Sequence, residues 1–274
     1  MHPHAAPPPN QKLAIPGIRQ MIAVASGKGG VGKSTVAANL ALALSKHGHK
    51  VGLLDADIYG PSVPIMMGLG TVDPQTAAFP LEKYGLKLMS MGFLVDPNQA
   101  VIWRGPMVHK AVTDFLTKIN WGDLEFLVID LPPGTGDAQL TLTQAAPLTG
   151  AVIVTTPQDV ALIDARKGLE MFRQVRVPVL GIVENMSWFE PTPGQRVAIF
   201  GQGGGRKMAL QAGVPFLGEV PIDPRVTECG DAGEPIVQRF PDSPASQALL
   251  KLAGVVADAA KAQADQERLP EVEL

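Results

Sequence analysis

The sequence predicts an α/β fold: a doubly wound, mostly parallel sheet with helices on both faces. Three observations carry that prediction. Short runs of Val, Ile and Leu recur without polar alternation, as strands buried on both faces do. Segments of helical spacing separate them. The residues best suited to chemistry stand at the C-terminal ends of those runs, where open parallel sheets bind ligands.

Residues 1–20, MHPHAAPPPNQKLAIPGIRQ, are rich in proline and lack periodicity, so they read as a disordered lead-in. The folded domain is expected over 21–265, followed by a flexible tail, 266–274. Met21–Ala25 is a short strand entering a glycine-rich turn. Lys33–Lys46 has helical spacing, with Val36, Leu40, Ala43 and Leu44 on one face. Val51–Leu54 is a strand ending at Asp55, and Phe126–Ile129 is another ending at Asp130. Ala151–Thr155, Val179–Val183 and a short strand within Val214–Val220 follow. Helices fit near 105–118, 138–146, 159–173, 204–212 and 245–265. The Pro- and Gly-bearing stretch 60–104 yields one strand, near Leu86–Ser90.

Composition narrows the function classes. Hydrophobic residues make up 46% of the chain and charged ones 18%, enough for one sizeable core. The net charge of −3 offers no global basic field for nucleic acid. No apolar run approaches the roughly 20 residues that span a bilayer, and the Ala-rich tail 257–274 turns acidic, which disfavours anionic lipid. The only cysteine, Cys229, excludes a disulfide framework and fits a reducing cytoplasm. No secretory signal is recognisable. A cytoplasmic protein with neither nucleic-acid nor membrane partners is expected.

Gly27-Lys-Gly-Gly-Val-Gly-Lys-Ser34 matches G-x-x-x-x-G-K-[ST] between a strand and a helix, the context that the phosphate-loop motif requires. Glycines let the backbone turn its N–H groups inward. The helix N-terminus adds positive potential. Together Gly27, Gly29, Gly30, Val31, Gly32, Lys33, Ser34 and Thr35 form a candidate ATP cradle. In it Lys33 puts a compact cation on the β- and γ-phosphates, and Ser34 offers a hydroxyl to Mg²⁺. Asp130 closes a hydrophobic strand, the second signature of such sites, where a carboxylate holds Mg²⁺ or its water. The segment Asp130-Leu-Pro-Pro-Gly-Thr-Gly-Asp137 reads as a switch loop. The fold class is therefore refined to that of a P-loop NTPase.

The loop resembles the deviant phosphate loop of the MinD, ParA and nitrogenase-iron-protein class. That resemblance implies nucleotide-dependent dimers in which Lys28 reaches the partner's phosphates. It also implies that Asp57 orients the attacking water, while Asp55 supports the Mg²⁺ shell. Further motifs make the chain similar to the Mrp/ApbC iron–sulfur carrier family: Leu54-Asp-Ala-Asp-Ile-Tyr-Gly-Pro-Ser62, Trp103-Arg-Gly-Pro-Met107, Thr156-Pro-Gln-Asp-Val160, Glu184-Asn-Met-Ser187, Phe200-Gly-x-Gly-Gly-Gly205 and Ala232-Gly-Glu-Pro-Ile236. The resemblance implies a cytosolic homodimeric ATPase that carries or helps assemble iron–sulfur clusters, with assembly or recipient proteins as partners. It assigns Asn185 to the adenine edge and Pro221 and Asp223 to the base pocket. The sequence departs from the family in two respects. A Pro-rich lead-in stands where many members carry a small N-terminal domain. Pro191 and Gly194 stand where the family's C-x-x-C would supply thiolates. Cys229 reads as a buried or helix-end residue, and His109 and the His47/His49 pair as surface residues. The second function carried forward is a MinD/ParA-like ATP switch that regulates a partner without a cluster.

Overall fold

Alternation within the strands decides which side chains face which layer of the protein. The computed structural model describes residues 15–58, 60–70, 72, 79–94, 105–192 and 194–268. The strands are β1 (Ile18–Ser26), β2 (Val51–Asp55), β3 (Leu81–Lys83), β4 (Leu86–Ser90), β5 (Leu124–Asp130), β6 (Gly150–Thr155), β7 (Val179–Thr192), β8 (Gln195–Val197) and β9 (Phe216–Ile222). The helices are α1 (Lys33–Lys46), α2 (Val63–Met66), α3 (Gly105–Thr117), α4 (Asp137–Ala145), α5 (Asp159–Gln174), α6 (Gly204–Ala212), α7 (Pro224–Asp231), α8 (Ile236–Arg239) and α9 (Pro244–Arg268). Ile22 and Val24 join one core layer with α1, α8 and α9. Met21, Ala23 and Ala25 join the other, with α3, α4, α5 and α6. This period of two places helices on both faces of one sheet.

The sheet runs in the order β3-β4-β2-β5-β1-β6-β7-β8, with β9 also on β7. All pairings are parallel except β3 with β4 and β8 with β7. Central β1 pairs with β5 on one side and β6 on the other. Strand order reverses there, so the crevice at the C-terminal end of β1 is the ligand position for this class of sheet. Among the described residues, no helix is long and apolar enough to cross a membrane.

Several expectations are corrected in detail. The first strand begins at Ile18, within the span expected to be disordered, because Ile18 and Gln20 pair with Leu124 and Phe126 of β5. Ile15, just before it, is buried. The rest of the lead-in, 1–14, lies outside the described residues. The C-terminal helix continues to Arg268, past the expected start of the tail, and 269–274 lie outside the described residues. Helix α1 buries Val36–Leu44 nearly all round rather than on one stripe, since it lies between the sheet and α9. His49 is half-buried rather than superficial: its Nδ1 lies 2.9 Å from Glu125, and its ring meets Phe126 edge-on.

Phe172 of α5 is fully buried in the layer beneath the site. Replacing it with Ala removes a large side chain from a close-packed interior. Phe172→Ala is expected to lower unfolding stability by about 3–5 kcal/mol, read from urea titration followed by circular dichroism; an unchanged midpoint would refute the burial of Phe172 in that layer.

Candidate functional site

The site grows from the ends of three adjacent strands. Parallel register sets Asp55 of β2 beside Asp130 of β5, with Ser90 of β4 on the far side of Asp55. From the end of β1 the chain turns through Gly27–Gly32 into α1, whose first residue is Lys33. Gly32 holds the left-handed conformation, φ +80°, that a turn into this helix needs. A Cβ on Gly32 would also stand 2.3 Å from the Asn185 amide nitrogen. Gly27 is constrained by contact: its Cβ would fall 2.1 Å from the Asp164 carbonyl carbon, so the loop lies directly on the backbone of α5. Ser26 Oγ donates to the Lys28 carbonyl at 2.9 Å and fixes the loop's start.

The Lys33 ammonium is almost fully buried. It donates to Asp130 Oδ1 at 2.6 Å and to Ser34 Oγ at 3.0 Å, and it lies 3.8 Å from Asp57 Oδ2. Asp130 has no solvent exposure, and its Oδ2 has no hydrogen-bond partner. Asp55 is buried as well. Its Oδ1 accepts from the Asp57 N–H at 3.1 Å, and its Oδ2 accepts from Val63 N–H and Ser90 Oγ at 3.2 and 3.0 Å. Asp57 accepts from Gly60 N–H at 3.2 Å. Burial, followed by the neighbouring Asp130 charge, pushes the Asp55 carboxyl up to about 7. Burial pushes Asp130 the same way, against the pull of the Lys33 ammonium. Three carboxylates and one ammonium thus share a dry crevice with less cationic charge than the acids call for. A divalent cation or a cation-carrying anion supplies the missing charge chemically. Among the described residues, no group of three or more His, Cys, Asp and Glu side chains forms a cage that holds a metal alone. Mg²⁺, which keeps its waters and takes one or two carboxylates, matches such a donor set.

The other expected residues fall as follows. Lys28 is half-buried and forms no ion pair among the described residues. Gly29 and Gly30 are exposed, Val31 is buried, and Thr35 Oγ1 meets the Met66 sulfur at 3.9 Å. Asn185 leaves β7 and donates from Nδ2 to the Val31 carbonyl at 2.9 Å, so it reaches the phosphate loop. Pro221 is buried in β9. Asp223 caps α7 through Arg225 N–H, and its two oxygens hold the Arg225 guanidinium at 2.9 and 2.7 Å. Asp137 is exposed at the start of α4. Cys229 is fully buried in α7, and burial raises its thiol pKa. Trp103 lies outside the described residues.

Sequence reading missed Ser90, whose hydroxyl orients Asp55, and Gln139 of α4. Gln139 is fully buried, and neither its amide nitrogen nor its oxygen has a partner. The cross-sheet register was the signal available for Ser90. Nothing local marked Gln139.

Comparisons with known proteins bear on the family and the fold. A family model described as the NUBPL iron-transfer P-loop NTPase, of the ParA group, matches residues 17–257. An iron-sulfur cluster carrier protein of Aquifex aeolicus is 56% identical over 248 residues, spanning 88% of this chain and 68% of that protein. The iron-sulfur cluster transfer protein NUBPL of Dictyostelium discoideum is 53% identical over 239 residues, or 85% of this chain and 74% of that one. Among solved structures, a nucleotide-binding protein in complex with ADP from Archaeoglobus fulgidus is 42% identical, with a TM-score of 0.68 over 79% of this chain and 87% of that one. The septum site-determining protein MinD with Mg-ADP from Pyrococcus horikoshii shares the fold at 23% identity, with a TM-score of 0.67 over 90% of this chain and 98% of its own.

The raised Asp55 carboxyl fixes the sign of a pH effect. The folded state holds this proton more tightly than the unfolded chain, so the stability present below about pH 4 declines as pH rises towards 7. Asp55→Asn removes the buried charge. The variant is expected to be more stable than the parent at pH 8 by about 1 kcal/mol or more, with a flatter profile between pH 4 and 7 in urea titrations. A parent whose stability climbs over that window contradicts the assignment.

Proposed function

Because the chain belongs to the NUBPL-type iron-transfer family of ParA-like P-loop NTPases, we propose that it binds Mg·ATP at Gly27–Thr35, hydrolyses it slowly as a homodimer, and serves iron–sulfur cluster assembly through partner proteins. The observation that carries the ATPase reading is the Lys33 ammonium, held 2.6 Å from a buried Asp130 whose second oxygen has no partner.

Ser34 and Asp130, with Asp55 acting through water, are the residues that would hold Mg²⁺; bound there, the ion neutralises charge on the phosphate oxygens. Lys33 does the same from its own subunit, exchanging its Asp130 contact for the β- and γ-phosphates. Asp57, within reach of Lys33, orients the attacking water and takes up its proton. Water oxygen bonds to the γ-phosphorus, the bond to the β-bridging oxygen breaks, and ADP and phosphate result. Lys28, unpaired among the described residues, provides the cation that completes the partner's site across the dimer. Asn185 gives its amide nitrogen to Val31, which leaves its oxygen to accept from the adenine amino group; Pro221 and Asp223 line the same pocket. Slow turnover suits a cycle in which the 130–137 segment changes state with the γ-phosphate.

The donor set does not fit a cluster held by this chain. Pro191 and Gly194 carry no ligating side chain, and Cys229, the one cysteine, is fully buried in α7. The β7–β8 turn is closed by its own bonds, Gly194 N–H to Glu190 Oε1 at 2.5 Å and Thr192 Oγ1 to Gln195 Oε1 at 2.8 Å. The cluster is therefore handled by partners, in the cytoplasm.

Lys28→Ala is expected to reduce ATPase turnover by about 10³-fold or more while ATP affinity stays within a few-fold, as read by phosphate release and nucleotide titration; full turnover in the variant removes the trans role. Anaerobic incubation with iron and sulfide, followed by desalting, is expected to leave the protein without a cluster chromophore, and Cys229→Ser identical to the parent. A chromophore on the parent that the serine variant loses overturns the partner-borne reading.

A further inference from the structure

A groove of about 720 Å³ runs between α5 and α6, outside the nucleotide chemistry. Ile163, Arg166, Phe200, Lys207 and Gln211 line it. Apolar side chains stand into water in and around it: Val160 is 64% exposed, Ile163 57%, Ile199 52% and Leu210 83%. Single exposed aliphatics are ordinary, but here Ile163 lines the groove, and Val160, Ile199 and Leu210 each adjoin a lining residue in sequence, a grouping that marks a contact surface. Val160 and Ile163 share one face of α5 at i, i+3.

The charges say what kind of partner fits. Lys167 pairs with Asp164 at 3.1 Å and Arg206 with Glu219 at 3.6 Å. Arg166 and Lys207 form no ion pair among the described residues; Arg166 donates to the Gln211 amide oxygen at 2.5 Å. The groove therefore offers aliphatic rims and a net positive lining, Arg166 and Lys207 against the single acid Asp159. A second copy docked symmetrically here would set those cations against themselves. A concave trough between two helices accepts a third helix better than it accepts a flat lipid surface.

Both walls lean on the phosphate loop. On one side, Gly27 lies against the Asp164–Ala165 backbone of α5. On the other, the buried Glu184 carboxylate accepts the Gly205 N–H at the start of α6 at 2.5 Å, and the next residue, Asn185, donates to Val31. Glu184 also fills the N-terminus of α6, so the Gly-rich Phe200–Gly205 turn is a wall of the groove and not a second phosphate loop.

We infer that the α5–α6 groove docks an acidic amphipathic helix of a partner protein, its aliphatic side chains seated against Ile163 and Leu210 and its carboxylates on Arg166 and Lys207, with an affinity set by the state of the phosphate loop. This goes beyond the ATPase reading and rests on it for the nucleotide dependence alone.

The test is a selection of displayed random helix-length peptides on the full chain without nucleotide, with counter-selection on Ile163→Asp/Arg166→Glu. These positions are exposed, and matching thermal melts confirm that the variant folds. Enriched sequences are expected to carry Leu or Ile at helical spacing flanked by Asp or Glu. A synthesised winner should bind the parent at least about tenfold tighter than it binds Ile163→Asp or Arg166→Glu/Lys207→Glu. Its affinity should differ by roughly 5- to 150-fold between ADP and a non-hydrolysable ATP analogue. Neutral or basic winners, winners indifferent to the substitutions, binding of the same face to phosphatidylserine vesicles, or a dimer that dissociates on Ile163→Asp each overturn the docking assignment. Equal affinity with the two nucleotides overturns the coupling. The nucleotide-free arm reads the surface even if the chain proves inactive as an ATPase.

Discussion

The contact between Lys33 and Asp130 organises the molecule. It joins the first residue of α1 to the last residue of β5, with β1 between them. Both groups are withdrawn from water, so each would be costly alone. The sheet must therefore deliver Asp130 to the crevice with its register intact, since a slip of one residue would turn the carboxylate into the opposite layer. The same register sets Asp55 beside it, and Ser90 and the Asp57 and Val63 N–H groups then satisfy Asp55. Burial, and after it the neighbouring Asp130 charge, raises the Asp55 carboxyl, and the one ammonium offsets only a small part of that. A site of this kind is less stable than an apolar core of the same volume.

Much of this was legible in the sequence because the signals were local. The phosphate loop, the aspartates at strand ends and the boundaries of α1, α6 and β4 follow from contiguous residues and their spacing. The rest depended on partners distant in sequence. Ile18 enters β1 because Leu124 is there to pair with it. The strand expected at Val179–Val183 runs on to Thr192, since β9 supports it on one side and β8 folds back on it. Short α2, α7 and α8 carry too few turns to show a period. Asp223 illustrates what the sequence left out: its cap on α7 and its grip on Arg225 depend on the local geometry of the turn. Gly27 reads as a turn former, and its sharper constraint is the backbone of α5 against it.

Two mechanical links give the loop its reach. The Gly27 contact admits no side chain, so any displacement of the loop is felt by α5 directly. The Asn185–Val31 bond ties the loop to β7, and Glu184, one residue earlier, ties β7 to α6. The loop is therefore in contact with two helices of the same layer, and any displacement of it would be carried to the surface between them.

Gln139 shows where the fold tolerates loss. Its side-chain amide is buried without a partner on either atom, at a cost of about 1–3 kcal/mol for each unmet group. It sits in the first turn of α4, directly after the 130–136 segment that begins at Asp130. Elsewhere among the described residues, buried polar side chains such as Asn39, Ser187 and Ser246 are bonded, while Gln20 Oε1 in β1 and Trp188 Nε1 in β7 are also without a partner. The unmet Gln139 amide differs from these in its place. In the helix that follows a segment expected to change with the γ-phosphate, it lowers the free energy needed to leave this arrangement, because departure forfeits no hydrogen bond from that side chain. The buried Asp130 and the unmet amide at Gln139 therefore lie along one stretch of chain, with Asp55 set beside it by the sheet register.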